Sequence, residues 1–141
     1  TRFHANLVEG DVEVRLPRGH LKAFGGYVRY GDNDPSGNNR RHVYYYSVEG
    51  VHELGHKFYG GVRFSQIFAN KGFPVVGHGE FDEYFFNELT KDLWRLSLGL
   101  GYRFSQNLVL KAEYAFERGE ELIGDQREHE DLFALEAAFK F

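Results

Sequence analysis

The residues with most chemistry to offer are charged ones spaced along alternating stretches: Arg29, Glu49, Arg63, Arg95, Arg103, Lys111, Glu113, Glu117 and Glu136. Acids and bases mixed on one wall hold water and bias the passage of ions. Bond-making chemistry has no comparable set. There is no Gly-x-Ser-x-Gly elbow and no glycine-rich phosphate loop leading from strand to helix. Ser65 and Ser97 share the parity of the charges, yet no His is placed to activate either. The absence of Cys removes disulfides and thiolate metal sites. His52 and His56 stand four apart, a spacing that shares a face on a helix but not across a strand and turn. No catalytic residue, metal or cofactor is expected.

Two segments invite a sharper reading. Asp32-Asn33-Asp34-Pro35-Ser36-Gly37-Asn38-Asn39 follows the first half of a calcium loop, with oxygen ligands at alternate positions and then a glycine. Val43 stands where that loop needs its bidentate Glu, and the same residue types serve any exposed turn. The aromatic run from Gly79 to Leu89 could fold into a pore as a constriction or pack outside on its neighbours.

The elements that must position the charges are strands. From Asp92 to Phe104, one parity carries Trp94, Leu96, Leu98, Leu100, Tyr102 and Phe104; the other carries Arg95, Ser97, Gly99, Gly101 and Arg103. Period two over that length means one apolar and one polar face. Ser105-Gln106-Asn107 turns the chain, and Leu108, Leu110, Ala112, Tyr114 and Phe116 resume the pattern against Lys111, Glu113 and Glu117. A last strand sets Phe133, Leu135, Ala137, Phe139 and Phe141 against Glu136 and Lys140. Weaker alternation marks Val8–Leu16, His20–Gly31, His42–Leu54 and Lys57–Phe68; in the second of these Phe24, Val28 and Tyr30 read as apolar, opposite Tyr27 and Arg29. The expectation is an all-β chain of about seven antiparallel up-and-down strands, with residues 1–141 forming a single β-barrel segment.

Composition agrees. Aromatics reach 17%, with 14 Phe and 9 Tyr, and 17 Gly stand against 3 Pro. No run approaches the ~20 apolar residues of a membrane helix, a criterion to which barrel strands are invisible because their two faces average out. The net charge of −4, evenly interspersed, argues against nucleic acid as a partner. Connections alternate between tight (Pro17–Gly19, Gly55-His56, Ser105–Asn107) and long, polar ones (Asp32–Arg41, Ala69–Lys91, Arg118–Asp131). Outer-membrane barrels sort their turns and loops in this way. Seven antiparallel strands cannot close on themselves without a parallel seam, whereas bacterial single-chain barrels have an even number. The segment is therefore expected to be the carboxy-terminal part of a longer, even-stranded barrel.

The ending Leu132-Phe133-Ala134-Leu135-Glu136-Ala137-Ala138-Phe139-Lys140-Phe141 resembles the carboxy-terminal signature of bacterial outer-membrane β-barrel proteins. The hairpin Trp94–Phe116 is similar to porin strands, and the likeness extends over roughly Val43 to Phe141. The resemblance implies a bacterial outer-membrane location and a porin-like channel for passive diffusion of small hydrophilic solutes or ions. It further implies contact with outer-membrane lipid and lipopolysaccharide, recognition of the last strand by the barrel-assembly machinery, and a possible homotrimer. Trp94, Leu96, Leu98, Leu100, Tyr102, Phe104, Phe133, Leu135, Phe139 and Phe141 would then face lipid, and the nine charged residues the pore. Whether the arginines form a basic ladder or pair with the glutamates stays open. So do two other architectures: a small eight-stranded outer-membrane barrel (anchor, adhesin or lipid-modifying enzyme), and a soluble lipocalin-like barrel with its apolar face turned inward around a ligand.

Overall fold

The structure, a computed structural model, describes residues 2–32, 39–74, 89–121, 124, 126 and 130–140. Seven strands follow in chain order: β1 (Phe3–Leu16), β2 (Gly19–Asp32), β3 (Arg41–Glu53), β4 (Phe58–Pro74), β5 (Leu89–Arg103), β6 (Leu108–Glu121) and β7 (Glu130–Phe139). They form one antiparallel sheet in the order β1-β2-β3-β4-β5-β6-β7, with no pairing between β1 and β7. The sheet is thus all-β and up-and-down, and it is not closed into a barrel. No helix among the described residues is long and apolar enough to cross a membrane, which says nothing of crossing by strands.

Short turns gather at one end and long connections at the other. Residues 17–18, 54–57 and 104–107 link strands at the first end; residues 33–40, 75–88 and 122–129 link them at the second. At the third turn the Ser105 hydroxyl accepts the backbone N–H groups of Asn107 (3.2 Å) and Leu108 (3.1 Å), so the side chain supplies the acceptor that the ladder lacks there. The strands outrun the alternation in the sequence. β1 begins at Phe3, β4 reaches Pro74 and β6 reaches Glu121, because backbone pairing continues where the side-chain pattern has lapsed. β4 achieves this through an irregularity between Phe68 and Phe73, with Gly72 at φ 75°, a left-handed conformation that costs glycine little.

Register decides which side chains share a face. Val12 of β1 stands opposite Ala23, Ala23 opposite Val48, Val48 opposite Phe64, Phe64 opposite Leu96, Leu96 opposite Phe116 and Phe116 opposite Asp131. That row lies on the apolar face. On the other face, Glu13, Lys22, Glu49, Arg63, Ser97, Ala115 and Leu132 form a row two residues nearer the short turns than Asp11, Phe24, Ser47, Ser65, Arg95 and Glu117. Ring contacts and ion pairs agree with these assignments: Phe64 stacks on Trp94 with centroids 6.0 Å apart, while Arg63 bonds Glu49 on the opposite side.

The second strand corrects the sequence reading. Tyr27 and Arg29 lie on the apolar face, opposite Tyr44 and His42, whereas Phe24, Val28 and Tyr30 lie on the polar face. β2 carries apolar residues on both parities, so its own alternation was ambiguous. The two-residue turn that pairs Leu16 with Gly19 sets its register, and hence its faces.

Candidate functional site: the concave polar wall

The sheet is curved, and burial tells which face is concave. Side chains crowd on the inside of a bend and splay on the outside. Tyr30, Val43, Ser47, Ser97, Ala115 and Glu117, all 9% exposed or less, lie on the polar face. On the apolar face, Val48, Val62, Leu98, Leu100, Leu110 and Leu135 are between 44% and 74% exposed. A groove of about 420 Å³ runs along the polar face and takes lining from strands as far apart as β2 (His20) and β7 (Ala134, Glu136). The polar wall is therefore the inner surface of an arc.

Within this wall, eight of the nine charged residues expected to line a pore come together: Glu49, Arg63, Arg95, Arg103, Lys111, Glu113, Glu117 and Glu136. Arg29 does not join them, since it stands on the convex face between Asn6 and His42. The basic ladder gives way to pairs. Arg63 donates through Nε to Glu49 at 2.7 Å, and Arg95 does the same to Glu117 at 2.7 Å, each adding a second bond from its guanidinium. Lys111 meets Glu136 at 3.2 Å and Arg103 meets Glu53 at 3.4 Å. Glu53 and His20, which lies 3.4 Å from Glu49, belong to this wall although alternation did not single them out. Cross-strand register sets Arg63 opposite Glu49, Arg95 opposite Glu117 and Lys111 opposite Glu136, while Arg103 reaches Glu53 across β4; that register was the missing signal.

Glycine thins the wall. Gly26 and Gly101 are covered by the rings of Tyr45 and Tyr59, lying so close that a Cβ would stand 2.3 Å and 2.0 Å from ring atoms. The tyrosines therefore lie against the sheet, and Tyr59 forms part of the lining of the groove. Tyr45 also donates to Glu9 on β1, and Arg103 sits 5.3 Å from the centre of the Tyr59 ring.

Toward the long-connection end the concave face turns dry. Tyr30, Val43, Ala69 and Phe73 form a buried apolar cluster, backed by Val28, Ile67 and Leu93. The convex face carries aromatic rows at two heights. Tyr27, Tyr44 and Phe68 contact one another near the long connections (5.0 and 5.5 Å), with Trp94 close by; Phe58 and Tyr102 contact near the short turns (4.7 Å), with Phe104 6.3 Å from Tyr102. Trp94, Leu96, Leu98, Leu100, Tyr102, Phe133, Leu135 and Phe139 share this face by register, and Phe104 follows β5 directly at 59% exposed. Phe141, most of the calcium-like loop (residues 33–38) and the aromatic run up to Glu88 lie outside the described residues. Among the described residues, no group of three or more His, Asp or Glu could hold a metal ion.

No protein-family model matches the chain, and neither curated proteins nor solved structures provide a match. The functional reading rests on the chain's own geometry.

Proposed function

We propose that this sheet is part of the wall of a porin-like channel in a bacterial outer membrane, through which small hydrophilic solutes or ions diffuse passively. One observation carries the reading: the polar, ion-paired face is concave and the apolar face is convex and exposed. Water outside would leave large apolar side chains on the outer surface of the arc without a partner, at about 25 cal/mol per Å². Hydrocarbon outside removes that cost, and water inside suits the paired charges. Curvature with the opposite sense would have favoured a soluble lipocalin-like barrel, whose apolar face encloses its ligand.

The two edges extend the proposal. β1 and β7 run in the same direction, since six antiparallel steps separate them. Their unpaired backbone groups would cost several kcal/mol each in hydrocarbon. An odd number of further antiparallel strands between them would close an even-stranded barrel. One such strand makes an eight-stranded barrel filled by side chains; many make an aqueous channel. The lumen of the larger barrel accommodates the arginine and glutamate pairs without crowding. In this setting the convex surface meets lipid and lipopolysaccharide, β7 is the strand offered to the assembly machinery, and a homotrimer is the expected assembly.

The test is insertion followed by conductance. The full-length protein, refolded into phospholipid vesicles, should migrate heat-modifiably on a gel and raise ion conductance across a planar bilayer. A protein that stays monodisperse in water without detergent would overturn the membrane reading. Insertion without conductance would favour the filled eight-stranded barrel.

A further inference from the structure

We infer that this wall favours cations, and that Glu113 is the residue through which it does so. The inference rests on the pore reading and names the class of solute the pore prefers. In the central belt of the concave face every cation is held by an acid. Arg63 is on Glu49, Arg95 on Glu117, Arg103 on Glu53 and Lys111 on Glu136, while Arg15 and Lys22 share Glu13. At the distance of a passing ion, such pairs are dipoles whose fields largely cancel.

Glu113 is the acid of the groove that forms no ion pair among the described residues, and the register explains why. Its cross-strand neighbours are Gly99 on β5 and Ala134 on β7, so neither flank can offer a cation. The next cation along its own strand, Lys111, is engaged with Glu136. Glu113 lines the groove and is exposed to it. Gly61 and Gly99 continue its row toward β4 and bring no side chain of their own to cover the carboxylate. Asp11 and Glu9 also have no cation partner among the described residues, but both stand on the edge strand, away from the groove, and Glu9 accepts from Tyr45. Among the acids that line the groove, Glu49 and Glu136 are neutralised by Arg63 and Lys111, and Glu113 is left uncompensated.

A unit charge about 7 Å from an ion, in water and partly screened, changes the local ratio of monovalent cation to anion about threefold. The experiment is the potassium-to-chloride permeability ratio of the full-length protein in neutral planar bilayers, from reversal potentials across a potassium chloride gradient near 0.1 M. Glu113→Gln is expected to lower the ratio about threefold, and Glu113→Lys about tenfold. Both effects should shrink at 1 M salt, where the screening length falls to about 3 Å. Glu113→Cys places a thiol in a segment that has no Cys of its own, and attaching a sulfonate there should restore the wild-type ratio. Normal conductance with an unchanged ratio in all three variants overturns the inference while leaving the pore intact. A wild-type protein that inserts but does not conduct overturns the pore reading itself.

Discussion

Leu98 is the position at which the sidedness of the sheet can be measured as an energy. It lies on central strand β5, on the convex face, at 44% exposure, and it stands midway between Trp94 and Tyr102. Four residues either way, at about 3.3 Å each and tilted by about 40°, place the two aromatics roughly 20 Å apart along the membrane normal. That is close to the ~25 Å apolar band of an outer-membrane barrel, so Leu98 would sit near the midplane. Leu98→Arg should cost about 2–4 kcal/mol in a bilayer, a factor of roughly 30 to 1,000 in the folding equilibrium. Tyr102→Arg, near the interface, should cost only ~0–1 kcal/mol for the charge itself. Gly99→Arg supplies the control on the other face, because a Cβ there meets nothing closer than 3.9 Å and the guanidinium would enter the groove beside Glu113. Unfolding in guanidinium from phospholipid vesicles, followed by the fluorescence of the single Trp94, gives the three free energies. Equal costs at Leu98, Gly99 and Tyr102 would refute the argument, since only hydrocarbon on the convex side makes the penalty depend on both face and depth.

Other expectations follow from the same geometry. Gly101→Ala should drive the Tyr59 ring from the wall and cost about 1–2 kcal/mol; adding Tyr59→Ala should recover part of that loss, a coupling that a double-mutant cycle on unfolding free energies would show. Glu117→Gln removes the charged acceptor of Arg95 and should cost about 1–2 kcal/mol, Glu117 being buried but Arg95 half exposed. Glu136→Gln should cost less than about 0.5 kcal/mol, both partners of that pair being exposed, and chemical denaturation of the two variants side by side checks the order. Phe73→Ala, from 5% exposure in the cluster near the long connections, should cost about 3 kcal/mol and speed proteolysis at that end of the sheet. Arg29→Gln should leave ion selectivity unchanged, since Arg29 stands on the convex face; a shift as large as that of Glu113→Gln would place it in the pore instead.

Much of this fold was legible in the residues. Alternation from Trp94 to Phe104, and again from Leu108 to Phe116, demands strands with one apolar and one polar face, because side chains point to opposite sides at every step. Ser105-Gln106-Asn107 between them demands a tight turn, and the sorting of short and long connections follows from the spacing of the strands. Eight of the charged residues that share one wall were visible as a set for the same reason, whereas Glu53 and His20 were not singled out and Arg29 was assigned to the wrong face. Arg29 shows where local pattern ends. Period two assigns two faces to a strand but does not say which face joins which in the next strand; a slip of one residue exchanges them all. In β2, where Leu21, Ala23 and Tyr27 on one parity compete with Phe24, Val28 and Tyr30 on the other, backbone register with β1 and β3 made the choice. The pairing of Arg63 with Glu49 and of Arg95 with Glu117, and the isolation of Glu113 between Gly99 and Ala134, depend on that register across strands far apart in the chain. The sense of curvature is likewise beyond alternation. A polar face and an apolar face are the same pattern whichever is bent inward, and only the packing of the assembled sheet crowds Ser47, Ser97 and Glu117 together while leaving Leu98 and Leu135 exposed.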